Sequence, residues 1–300
     1  DGIQLRILAT EGKRESARYA MEVTKRVLDY FHDYFGLRYP LPKLDQIGVP
    51  NAFSGFGAME NWGAISYIDT LILVDEVASS QTTREDVFKT IAHEIAHQWF
   101  GNIVTMAWWD NLWLNEGFAS WMEMKATDRL NPEWSVWLRA NEDKERAMGL
   151  DARLSTHPIQ QAVETEGQAF SAFDTISYQK GQAFIRMLEA YLGETAFRDG
   201  IRLYLKRHAY SNSTTADLWT ALSEASGKPV AEVAAAWTEQ PGFPIVSLRT
   251  TGEGPNRRLE ATQTRFTLGA ADPAGAIWQI PLTYAPLADL TQSRVELLGA

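Results

Sequence analysis

The spacing of apolar residues changes period along the chain, and each change predicts a different kind of element. Ile3, Leu5 and Ile7 alternate with polar neighbours, the pattern of a strand with one buried face. They predict the end of a strand whose partners lie upstream. Between residues 13 and 35, Tyr19, Val23, Val27, Tyr30 and Phe31 recur at helical spacing and predict a helix. Tyr39-Pro40-Leu41-Pro42 then imposes extended backbone. Short apolar runs at 46–49, 64–67 and 71–74 predict strands, interrupted by a glycine-rich loop at 54–57.

From Thr83 the helical period returns, with Thr83 and Asp86 as a capping signal. That helix is expected to run to about Phe100, where Gly101-Asn102 stops it. Further helices are predicted over about 112–130 and 132–148, separated by Asn131-Pro132, and then over 178–192, 194–208, 214–226 and 229–238. After Pro241-Gly242-Phe243-Pro244 the pattern becomes strand-like at 245–250, 259–266, 278–284 and 295–298. The fold class is therefore α+β. A small sheet with a mostly helical lobe occupies residues 1–240, and part of an all-β module occupies 241–300.

Composition narrows the classes of function. The 300 residues carry 28 basic and 38 acidic side chains, a net charge of −10, without the positive footprint of a nucleic-acid binder. No cysteine is present, which excludes disulfides, thiolate metal ligands and a cysteine nucleophile. No apolar run is long enough to span a membrane. The sequence leaves the compartment open. Because it lacks an initiator Met and a signal-peptide pattern, the start reads as that of a processed or excised piece.

The chemistry concentrates in three clusters. His93-Glu94-Ile95-Ala96-His97 puts two imidazoles four residues apart on one helix face, where they can grip one Zn²⁺ while Glu94 reaches a water. The plain alternative is a helix with two solvated or capped histidines. Glu116, in Asn115-Glu116-Gly117, lies on the next predicted helix and can complete a His₂Glu set. An isolated helix glutamate is ordinarily exposed. Trp108, Trp109, Leu112, Trp113, Leu114 and Phe118 make this segment read as buried, and a buried carboxylate needs a partner. In Gly57-Ala58-Met59-Glu60-Asn61, Glu60 could hold a cation beside a zinc cleft, although a strand-edge glutamate usually faces solvent. Gly57 and Ala58 would let a substrate backbone approach closely. Tyr178, in Ile176-Ser177-Tyr178-Gln179-Lys180-Gly181, reads as a packing residue unless the zinc helices face it.

Taken together, GAMEN at 57–61, HEIAHQWFGN at 93–102, WLNEGFA at 113–119 and ISYQKG at 176–181 resemble the zinc aminopeptidases of the aminopeptidase N family, which also contains leukotriene hydrolase. The resemblance implies a thermolysin-like catalytic domain over residues 1–240 and the opening of a β-sandwich over 241–300. It implies one zinc per chain on His93, His97 and Glu116, with Glu94 as general base and Tyr178 as oxyanion donor. Glu60 would pair with the free amine of a peptide substrate, the backbone of Gly57 and Ala58 would align it, and Met59 would line the pocket for its first side chain. Family members carry flanking domains that this chain does not contain. A truncated module that binds zinc and peptide without turnover is the alternative; an endopeptidase and a lipid epoxide hydrolase are less consistent with Glu60 in its GAMEN context.

Overall fold

In the computed structural model the described residues are 2–50, 56–252, 258–269 and 275–299, so residues 54 and 55 of the expected glycine-rich loop lie outside them. The first strand, β1 (Gln4–Leu8), is followed by helix α1 (Arg18–Phe35) and strand β2 (Lys43–Val49). The short β3 (Ala58–Met59) and β4 (Ala64–Ile68) complete a four-stranded sheet of order β1-β2-β4-β3. β1 pairs in parallel with β2, Gln4 opposite Lys43. One neighbour of this strand therefore lies downstream, which the sequence pattern did not anticipate. A parallel pair needs a long crossover, and α1 supplies it. Ala20, Val23, Val27, Phe31 and Phe35 form the buried stripe of that helix, and Gly36 in the left-handed region (φ 62°) ends it.

The strand expected over 71–74 is absent. Ile72 and Val74 alternate and are fully buried, which is what the pattern detected. Their backbone is not in the sheet: the Leu73 N–H donates to the Asp69 carbonyl and the Val74 N–H to the Ser16 carbonyl. Alternation reports which side chains are buried, not where the peptide groups bond.

Helix α2 (Gln81–Ala96) begins three residues after Ala78 on a Ser80 cap, whose hydroxyl accepts from the Thr83 N–H, so Thr83 is not itself the cap. It ends at Ala96 rather than Phe100, because the Gln98 and Trp99 N–H groups tighten onto Ile95 and Ala96 and Phe100 bridges to Val104. A short β5 (Val104–Met106) leads into α3 (Trp113–Leu130), which packs directly on α2. Most of α3 is buried around its whole circumference. Around this pair lie α4 (Val136–Asp151), the short α5 (Glu166–Ser171), α6 (Gly181–Leu192) and α7 (Glu194–His208). β6 (Ser211–Ser213), which pairs in parallel with β5, is followed by α8 (Thr215–Ser226) and α9 (Val230–Thr238). The sequence pattern missed α5, β5 and β6, all of them too short to show a period.

The remainder is β structure. β7 (Pro244–Thr251) pairs antiparallel with β8 (Arg258–Arg265), and β9 (Ile280–Tyr284) with β10 (Arg294–Leu298). These strands attach to the helices through specific bonds: the Gly242 N–H donates to Asp151, the Leu268 N–H to the Ala152 carbonyl, and Trp237 to the Gln279 carbonyl. Mixed helices and small sheets make this an α+β fold, as the sequence indicated. No helix among the described residues is long and apolar enough to cross a membrane.

Candidate active site

Two regular helices carry the centre of the site. His93 and His97 lie one turn apart at the end of α2, and Glu116 lies in the first turn of α3. The three converge. His93 Nε2 and His97 Nε2 are 3.1 Å apart, and Glu116 Oε2 lies 3.4 Å from the first and 3.3 Å from the second. Zinc bonded tetrahedrally at its usual nitrogen and oxygen distances separates its ligand atoms by roughly 3.3 Å. The triad therefore already has the edge lengths of such a polyhedron.

The far ring nitrogens explain the orientation. His93 Nδ1 donates to Glu123 Oε2 at 2.8 Å, and His97 Nδ1 donates to the Phe100 carbonyl at 2.9 Å. With Nδ1 carrying the proton on each ring, both Nε2 lone pairs point at the Glu116 carboxylate. Three acceptors cannot satisfy one another, so a cation or added protons must sit among them. The titration directions say the same. Burial opposes charge on His97, but Glu116 outweighs it and lifts the imidazole to about 9. Burial likewise opposes charge on His93, and Glu116 and Glu123 raise it well above its ordinary value. Glu116, although buried, is held far below the usual carboxylate range by the two imidazoles. A divalent cation would replace these protons.

Glu94 points into the same space. Burial pushes its carboxyl up to about 7, against the pull of His93 and His97, and its Oε2 has no hydrogen-bond partner among the described residues. Glu60 joins them: its carboxylate, that of Glu94 and a His97 ring nitrogen lie within 4.8 Å of one another. The Glu60 carbonyl accepts from Gln98 Nε2 at 3.1 Å and from Asn102 Nδ2 at 2.9 Å, so the residues just after the second histidine dock the Glu60 segment onto the end of α2. Asn61 donates to the Ser66 hydroxyl on β4. β3, with Ala58 and Met59, is the edge strand of the four-stranded sheet. The Gly57 carbonyl accepts from Ile68, and Met59 is 40% exposed.

Tyr178 comes from a wide π-turn, Ile176–Lys180, that runs straight into α6. The sequence placed it at a helix start; it lies in the middle of the turn. Its ring stacks parallel to His93 at 6.0 Å, with its hydroxyl under the electrostatic influence of Glu116. Burial first, then Glu116, raises its pKa, so the phenol stays protonated and can donate. Two glycines let this turn approach α3: a Cβ on Gly117 would stand 3.2 Å from the Ser177 carbonyl and 3.3 Å from Gly181 Cα. Lys180 then ties the turn to Asp151 at 2.8 Å and to the Gly242 carbonyl at 2.9 Å.

Of the residues singled out from sequence, His93, Glu94, His97, Glu116, Glu60 and Tyr178 thus fall at one place. Leu112, Trp113, Leu114 and Phe118 are buried as expected, but Trp108 and Trp109, expected to be buried with them, are 56% and 38% exposed. Glu116 is buried by the α2–α3 contact instead. Sequence reasoning missed Glu123, Gln98, Asn102, Asp174 and His157. Glu123 sits seven residues after Glu116 on α3, on the same helix face, and that spacing was the one signal that could have found it.

Comparison with known proteins adds an independent line. The peptidase family M1 domain matches residues 19–237. The chain is 43% identical to Aminopeptidase M1 of Arabidopsis thaliana over 94% of its own length and 31% of that protein's. It is 43% identical to the puromycin-sensitive aminopeptidase of Caenorhabditis elegans, covering 95% of this chain and 30% of the relative. Against the glutamyl aminopeptidase of Mus musculus the identity is 40%, with 95% and 30% covered. The chain spans about a third of the length of these curated relatives.

Proposed function

The chain belongs to peptidase family M1, and from that premise we propose that it carries a zinc aminopeptidase site, with His93, His97 and Glu116 holding one zinc. The observation that carries this reading is the triad itself, three ligand atoms 3.1–3.4 Å apart with both histidines pre-oriented. Zinc, when bound there, supplies a Lewis acid that polarises a peptide carbonyl and makes water acidic enough to deprotonate near neutral pH.

The remaining steps belong to the protein. Glu94, buried and with a free Oε2, accepts the proton of the attacking water and returns it to the departing amine. Tyr178 donates its hydroxyl proton in a hydrogen bond to the oxygen that gains charge as the carbonyl becomes tetrahedral. Glu60 pairs with the free α-ammonium of the substrate, which limits cleavage to the first residue. The edge position of β3 suits Gly57 and Ala58 to hold the substrate backbone as an added strand, and exposed Met59 lines the site of the first side chain. The net charge of −10 favours capture of a cationic terminus. In this reading residues 1–240 form the peptidase unit and 241–300 a separate β module, and the substrates are peptides with a free N-terminus.

The test compares an aminoacyl-arylamide with its N-acetylated form on the zinc-loaded chain. Cleavage of the free amine alone is expected. Equal cleavage of both would contradict the role given to Glu60. Zinc and peptide binding without any turnover would support the module that binds but does not cut.

A further inference from the structure

No regular helix runs directly into the π-turn that carries Tyr178. Residues 172–175 are turn and bend, and α5 ends at Ser171. One residue binds three of the π-turn's peptide N–H groups. Asp174 Oδ1 accepts from the Ile176 N–H at 2.9 Å and from the Ser177 N–H at 3.2 Å, while its backbone carbonyl accepts from the Tyr178 N–H at 3.1 Å. Three consecutive peptide groups are thus bound to one residue, and the third belongs to Tyr178.

The carboxylate is itself held. His157 Nε2 lies 2.7 Å from Asp174 Oδ2, and His157 Nδ1 lies 2.8 Å from the Pro158 carbonyl. Both partners of the imidazole are acceptors, so the ring donates twice and is an imidazolium in this arrangement. Charge-assisted bonds of this kind are stronger and more directional than neutral ones. An ordinary helix cap needs only the first pair of bonds. The additional histidine fixes the rotation of the carboxylate, and through it the plane of the turn.

We propose that Asp174 is a positioning residue for the Tyr178 hydroxyl, with His157 as the partner that locks the Asp174 carboxylate. The proposal rests on the role given to Tyr178 above. It goes beyond that role in assigning the accuracy of the hydroxyl position to a pair of side chains that touch neither metal nor substrate. Misplacing a reacting group by about 1 Å can cost on the order of 10²-fold in rate, so the pair is expected to act on turnover and not on substrate affinity.

A double-mutant cycle tests it. Asp174→Ala is expected to lower kcat by about 10²-fold with KM within about twofold, and zinc content unchanged. Placed on Tyr178→Phe, the same substitution is expected to add no more than about a twofold further loss, since the group it positions is gone. Asp174→Asn keeps the Oδ1 acceptor and can donate to a neutral His157, and is expected to recover kcat to within roughly threefold of the parent. Independently of turnover, a crystal structure of the Asp174→Ala chain is expected to show the Tyr178 hydroxyl displaced by about 1 Å or more. Full additivity with Tyr178→Phe, or an undisplaced hydroxyl, would overturn the proposal. If the unsubstituted zinc-loaded chain cleaves nothing, the hydrolase reading fails. The crystal structure then decides the positioning claim alone.

Discussion

The two parts of the site, its helical wall and its irregular wall, are built in different ways. On one side, His93, Glu94, His97 and Glu116 stand on α2 and α3, long regular helices packed on each other and buried. On the other, Tyr178 stands on a π-turn and Glu60 follows a two-residue edge strand. Helical periodicity alone brings two side chains four residues apart onto one face, so the metal wall needs only a few extra bonds, those to Glu123 and the Phe100 carbonyl. The irregular wall has no periodicity to rely on. Each of its functional groups is fixed by dedicated polar contacts: Gln98 and Asn102 on the Glu60 carbonyl, and Asp174 and Lys180 on the two ends of the Tyr178 turn.

The difference predicts how each wall fails. The largest effect is expected from Glu94→Gln, which leaves the proposed metal ligands intact but removes the proposed base: kcat should fall by about 10²–10⁴-fold with zinc content unchanged, read by kinetics and elemental analysis. Next comes Glu123→Ala, which frees His93 to rotate. Zinc affinity should fall by about 10–100-fold in competition with a chelator. An unchanged affinity would show that helix packing alone orients the ligands, and would sharpen the contrast further.

Gly117→Ala acts where the walls meet. The neighbours of the added methyl are backbone atoms of Ser177 and Gly181, which cannot swing aside as a flexible side chain would. Alanine favours a helix over glycine by about 1 kcal/mol, and crowding costs about 1–3 kcal/mol. A net loss on the order of 1 kcal/mol in denaturant unfolding is expected.

The smallest effect is a pH dependence. Burial opposes charge on His157, but Asp174 and the Pro158 carbonyl outweigh it and raise its pKa above the ordinary 6.5. Its contribution to stability is therefore complete below that ordinary value and is lost as pH rises through the raised one. For a partly exposed pair the loss should be about 1 kcal/mol or less. His157→Gln should flatten this part of the stability profile, measured by urea unfolding on both sides of neutrality.

The same contrast explains what the sequence disclosed. His93 and His97 were legible because helical spacing converts directly into geometry, while Glu116, on the next helix, came from its apolar neighbours and, like GAMEN and ISYQKG, from resemblance to a family. The structure brings His93, His97, Glu116, Glu60 and Tyr178 together. Asp174 and His157 were not legible, because they lie 17 residues apart in irregular chain, where no period links them. Ile72 and Val74 show the converse error: a correct reading of burial gave a strand that the backbone hydrogen bonds do not form.

The central claim, that the two-helix wall is a zinc site, is tested most directly by anomalous diffraction from crystals of the chain grown with zinc. One peak is expected within about 2.0–2.2 Å of His93 Nε2, His97 Nε2 and a Glu116 oxygen. A peak among Glu60, Glu94 and His97 instead, the other cluster of possible ligands among the described residues, or no peak at all, would contradict the account.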